Sequence, residues 1–234
     1  MTVDQIRSAL QKLRNDEKAQ VLQRFFKTGP GQYGEGDIFL GISVPDLRSL
    51  VRQNKDARLS DIKQLIKSKF HEERVLALMM LVQAYSKGDE AQKKSIYELY
   101  LKSTKFINNW DLVDVSAPHI VGHYLSDKSK EPLYGLAKSE SLWERRIAII
   151  ATACFIRRGE FADTLRISKL LLSDKEDLIH KAVGWMLREV GNRDLASEER
   201  FLIAHYKRMP RTMLRYAIEK FPEPRRQMYL KGII

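Results

Sequence analysis

A chain of 234 residues with 44% hydrophobic and 30% charged residues fits a soluble globular protein of one large domain or two small ones. The 41 lysines and arginines outnumber the 30 acidic residues, giving a net charge of +11. That excess is +4 up to residue 117 and +7 beyond it, which excludes a basic tail and favours a polyanion such as nucleic acid as partner. The one cysteine, Cys154, excludes a disulfide framework and points to a reducing compartment.

Residues 1–13 lack the apolar core of a signal peptide, while Ile6, Leu10 and Leu13 have helical spacing. Next comes a glycine-rich segment at 27–37, with a literal G-x-G-x-x-G at Gly29, Gly31 and Gly34. A dinucleotide fingerprint needs a preceding strand and a βαβ unit, and neither is evident. The segment is read as a mobile loop, or as an insertion that orders against a ligand. From there on strand patterns are nearly absent. Helical periodicity predicts helices over 59–68, 73–85, 90–101, 111–124, 142–157, 163–172, 175–190, 197–207 and 211–220, joined by short connectors. The longest apolar run, Ile147 to Ile156, is too short to span a bilayer, so a soluble cytoplasmic protein is expected.

Arg74, Trp110, Arg146, Lys181 and Arg215 each open an apolar segment, at spacings of 36, 36, 35 and 34. A nearly constant period in helical pairs predicts an all-α fold. The expected architecture is a single-domain curved α-solenoid of HEAT-like repeats, spanning 1–234 with a period of about 35 residues. Equivalent positions in stacked repeats line one surface. Trp110 and Asp114, four residues apart on one helical face, are therefore expected to neighbour Arg146, then Lys181 and Trp185, then Arg215.

The chemistry of such a groove is restricted by what is missing. His119 and His123 have the i,i+4 spacing of zinc ligands but no third ligand is evident, so packing histidines and no metal are expected. Cys154 reads as a buried small hydrophobe, and no serine has a paired base. Asp111 is turned about 60° from Asp114 on helical geometry and is read as a support, which leaves no matched acid–base pair. What remains is a carboxylate flanked by indoles among cations, suited to a developing positive charge. Hydrolysis of an N-glycosidic bond produces an oxocarbenium-like sugar cation, and an alkylated purine leaves without general-acid help.

Four segments, residues 37–48 (DIFLGISVPDLR), 110–114 (WDLVD), 142–146 (LWERR) and 181–188 (KAVGWMLR), together resemble the AlkD-like DNA glycosylases built from HEAT-like repeats. The likeness runs from about residue 20 to 220. It implies excision of N3- and N7-alkylated purines from duplex DNA in base excision repair, without a base-binding pocket, whereas most glycosylases extrude the base. By this resemblance Asp114 stabilises the sugar cation and positions water, Trp110 and Trp185 pack against the deoxyribose, and Arg146 holds the backbone. Lys181, Arg188 and Arg215 are the further DNA-binding candidates. No lysine is clearly placed for Schiff-base lyase chemistry, so a monofunctional enzyme is expected, monomeric and without a cofactor, its partner being double-stranded DNA with alkylated bases. Two other classes remain open: a non-catalytic HEAT-like protein that binds distorted or branched DNA, and a protein-binding solenoid. The Trp110, Asp114, Arg146 and Trp185 set favours the first class over the second, and the +11 charge disfavours the third.

Overall fold

The computed structural model describes residues 2–234, which form two compact units that divide between Ser116 and Ala117. Both are helical; among the described residues the β structure is one isolated parallel bridge, Ile38 to Phe70. The N-terminal unit contains α1 (Val3–Lys12), α2 (Asp16–Phe25), α3 (Val44–Gln53), α4 (Leu59–Ile66), α5 (His71–Lys87), α6 (Glu90–Lys102) and α7 (Trp110–Asp114). Local sequence accounts for several starts. Thr2 and Gln5 form a reciprocal capping box at α1, Asp89 and Gln92 another at α6, and Asn15 and Ser43 cap α2 and α3. The centre of this unit is α5, whose first eight residues are all buried, with α3 and α4 packed on it. Full burial of side chains such as Leu76, Leu78 and Leu81 contributes roughly 1.5–3 kcal/mol each.

The C-terminal unit contains α8 (His123–Leu125), α9 (Glu131–Ala137), α10 (Leu142–Ala151), α11 (Ala153–Arg157), α12 (Ala162–Leu170), α13 (Asp177–Gly191), α14 (Leu195–His205), α15 (Arg211–Ala217) and α16 (Glu223–Lys231). Its central helix, α13, packs against α10, α14 and α15. The approach of α15 is close because Gly184 has no side chain: a Cβ there would lie 2.4 Å from the Met213 carbonyl and 2.5 Å from Tyr216 Cβ.

Two predicted helices are interrupted. Residues 111–124 form α7, a π-helical turn at Pro118–Gly122, and then α8. Pro118 has no N–H to continue an α-helical ladder and its ring crowds the carbonyl one turn back. The predicted 142–157 helix breaks at Thr152, whose hydroxyl donates back to the Ile149 carbonyl at 2.7 Å.

One buried carboxyl controls stability rather than the site. Glu198 of α14 lies against Gly191, is 2% exposed, and its Oε1 has no hydrogen-bond partner among the described residues. Burial, with the nearby Glu199 charge adding and Arg188 opposing, pushes it up to about 8. The folded-state value lies above the ordinary 4.5, so its contribution to stability is complete below about pH 4.5 and is lost as pH rises through about 8. Glu198→Gln is expected to match wild type at about pH 4 and to melt higher than wild type above about pH 8. Thermal melts by circular dichroism at the two pH values check this, and a difference of equal size at both would contradict it.

Candidate functional site

The Trp110–Asp114 segment is one short helix, and its start is fixed from three directions. The Asn109 side chain accepts the Trp110 N–H at 2.8 Å through its oxygen, and its nitrogen donates to Asp37 Oδ2 at 3.2 Å. Asp111 accepts the Leu112 N–H at 2.9 Å with one oxygen and faces His71 Nε2 at 2.7 Å with the other. Leu112 and Val113 are fully buried on the inner face. Trp110 and Asp114, a turn apart, are both half-buried. Tyr100 and Ser116 underlie the helix: their hydroxyls are 3.0 Å apart and Ser116 donates to the Leu112 carbonyl at 2.5 Å. Burial raises the Tyr100 hydroxyl far above its ordinary range, and the neighbouring Asp114 charge adds to this.

Trp110 ends an aromatic column. Its ring stacks on Phe26 (centroids 5.2 Å apart, planes 11° apart), Phe26 stacks on Phe39 at 4.9 Å, and Phe39 stacks on the His71 imidazole at 4.4 Å. Phe25 meets Trp110 edge-on and is exposed. The glycine-rich segment is what brings Phe26 and Asp37 together. It turns through hydrogen bonds from Gly34 N–H to the Lys27 carbonyl and from Asp37 N–H to the Gly34 carbonyl, each 3.1 Å. A Cβ on Gly34 would lie 2.4 Å from the Phe26 carbonyl, so only glycine allows this approach. The segment thus builds its own turns and delivers a buried aspartate.

That aspartate belongs to a buried polar cluster that sequence reading missed. His71 Nδ1 is 3.0 Å from Asp37 Oδ2, and Arg74 Nη2 donates to Asp37 Oδ1 at 2.5 Å. Two carboxylates therefore face two cationic side chains, the balance that makes burial of ionised groups tolerable. Hydrogen bonds and the charges of His71 and Arg74 hold Asp37 below its ordinary value despite the opposing effect of burial. The detectable signal is the run His71-Glu72-Glu73-Arg74, four polar residues opening an otherwise apolar helix. Glu72 uses both oxygens to accept the N–H groups of Leu40, Gly41 and Ile42, at 2.8, 2.8 and 3.3 Å.

Within the C-terminal unit, Lys181, Trp185 and Arg188 occupy one face of α13, opposite the buried Ile179, Ala182, Val183, Met186 and Val190. Each has an acidic neighbour. Lys181 pairs with Asp177 at 2.8 Å, the Trp185 indole N–H donates to Glu189 at 3.3 Å, and Arg188 pairs with Glu219. Arg215 is exposed on the adjacent α15. Arg146 differs from the other cations: it is 5% exposed and its Nη1 donates to the Leu178 carbonyl at 2.6 Å. Among the described residues no cluster of three or more histidine, cysteine, aspartate or glutamate side chains has the geometry to hold a metal ion.

The model of a family described as DNA alkylation repair enzyme matches residues 6–221. The chain belongs to that family. A solved structure described as a predicted DNA alkylation repair enzyme from Enterococcus faecalis superposes with a TM-score of 0.68. It is 16% identical, and the match covers 90% of this chain and 97% of that one, which establishes a shared fold. No curated protein matches the chain. Membership of the family supports a DNA-binding enzyme with a role in DNA repair. None of the described helices is long and apolar enough to cross a membrane.

Proposed function

We propose that the protein is a monofunctional DNA glycosylase that hydrolyses the N-glycosidic bond of N3- and N7-alkylated purines in duplex DNA. The observation that carries this reading is the α7 pair: an indole and a carboxylate one turn apart on a helix pinned from Asn109, Asp111 and the Phe26 ring. Family membership and the +11 charge support it. In this reaction the bond from deoxyribose C1′ to the purine nitrogen breaks, and its electron pair goes to the base. The alkylated base carries a positive charge and therefore leaves neutral. Asp114 would stabilise the resulting positive charge on the sugar, by electrostatics that are preorganised rather than recruited. It would also orient the water whose oxygen bonds to C1′ and whose proton is released.

Trp110 supplies a π face for the sugar cation, an attraction of roughly 0.5–2 kcal/mol. Trp185 is assigned the same role by family resemblance. Lys181, Arg188 and Arg215 are proposed as backbone-binding cations; the acidic partners of the first two would be exchanged for phosphates on binding. Arg146 is buried and donates to the Leu178 carbonyl, and its role at the DNA backbone is assigned by family resemblance. The reading predicts release of 7-methylguanine and 3-methyladenine from methylated duplex DNA, with no release from undamaged duplex and no loss in EDTA. Chromatography of the released bases checks it. Failure to release either base under single-turnover conditions would overturn it, and retained affinity for duplex DNA would then leave the non-catalytic alternative.

A further inference from the structure

We infer that His71, bridging Asp37 and Asp111 as an imidazolium, is a positioning residue that sets the aim of Trp110 and Asp114; this rests on the glycosylase reading above. The geometry favours the charge. Both ring nitrogens lie within hydrogen-bond distance of carboxylate oxygens, at 3.0 and 2.7 Å. A neutral imidazole has one N–H, so one nitrogen lone pair would then face an ionised oxygen that has no proton to give. Asp37 Oδ2 already accepts from Asn109 and Asp37 Oδ1 from Arg74, while Asp111 Oδ1 accepts from Leu112. Asp37 is thus held as an acceptor at both oxygens, and a doubly protonated ring satisfies it and Asp111 together. The ring itself is 2% exposed, so water cannot substitute for either bond.

Two independent links run from this ring to the α7 residues. The polar one passes through Asp111, which adjoins Trp110 and precedes Asp114 by three positions, and through Asp37 to Asn109, the α7 cap. The aromatic one passes from the imidazole through Phe39 and Phe26 to Trp110. Neither link supplies the core beneath α7, which is Leu112, Val113 and the Tyr100–Ser116 pair. Removing the charge should therefore loosen orientation more than fold. The charged groups facing the ring are Asp37 from the glycine-rich segment, Asp111 from α7 and, through Asp37, Arg74 from α5. Glu72 and Glu73 of α5 point elsewhere, to the Leu40–Ile42 amides and to Arg7. Burial alone would lower the imidazole; the hydrogen bonds and charges of Asp111 and Asp37 outweigh it and raise it to about 9. The folded value lies above the ordinary 6.5, so the bridge's contribution to stability is complete below about pH 6.5 and is lost as pH rises through about 9, where the folded ring itself gives up its second proton.

The test has two arms on the full chain. In the first, nitrogen-15 NMR of histidine-labelled wild type is expected to show both His71 ring nitrogens protonated at pH 7.5, with titration near 9; a singly protonated ring at pH 7.5 overturns the bridge. In the second, His71→Gln and the milder Asp111→Asn are each expected to slow single-turnover release of 7-methylguanine about 10- to 100-fold, as small misalignments do. Their Kd for the same duplex should change less than about 3-fold, the split expected of orientation rather than binding. Wild-type release rates in both variants would overturn the positioning role. An Asp114→Asn control separates the two readings: undiminished release in that variant sinks the glycosylase assignment, while the NMR arm still reports on His71.

Discussion

Glu72→Ala is expected to remove about 4 kcal/mol of folding stability from the N-terminal unit. Three backbone N–H groups, of Leu40, Gly41 and Ile42, donate to the Glu72 carboxylate, which is 3% exposed. Each buried N–H left without an acceptor costs about 1–3 kcal/mol, and the sum is less than additive because the strand of backbone can relax as one piece. The backbone has little room to do so. Gly41 has φ +79°, and a Cβ there would lie 2.0 Å from the Asn15 carbonyl, so this segment is pressed against the start of α2. A typical domain has 5–15 kcal/mol in total, so the loss is a large share of it. Glu72→Gln keeps one acceptor oxygen and turns the other into a donor facing an N–H, so about half the loss is expected. Urea unfolding followed by circular dichroism measures both. Glu72→Ala within about 1 kcal/mol of wild type would show that the three amides find other partners.

The helical periodicity and the α7 pair were legible in the sequence. Trp110 and Asp114 share a short helix because they are four apart, and local spacing decides that. Lys181, Trp185 and Arg188 share a face of α13 for the same reason. Helix ends were less legible. Pro118 and Thr152 each sit inside an apolar periodic run, where pattern outweighs the backbone effect of one residue until the hydrogen bonds are seen. The polar cluster was not legible, because Asp37, His71 and Asp111 lie 34 and 40 residues apart and no local pattern links them. Asp37 was hidden by its setting, at the end of a glycine-rich segment in which Gly34 provides the close approach to Phe26. Arg146 reads as a surface cation by its charge; its donation to the Leu178 carbonyl and its burial depend on tertiary placement.

Asp114→Asn is expected to cut the rate of alkylpurine release by at least about 100-fold, equal to roughly 2.7 kcal/mol of lost transition-state stabilisation. The substitution keeps the size and shape of the side chain while removing the negative charge that opposes the sugar cation. The leaving base needs no proton, so little other catalysis is available to compensate. The lost charge is also repulsive to phosphate, so affinity for duplex DNA should stay the same or rise slightly. The helix itself should persist, because its fixed points are Asn109, Asp111, Leu112 and Val113. The decisive measurement is therefore single-turnover release of 7-methylguanine from methylated duplex DNA, by wild type and Asp114→Asn at matched DNA occupancy. Rapid release by wild type and a rate at least about 100-fold slower in the variant are expected; equal rates at equal occupancy would show that Asp114 does not carry the chemistry.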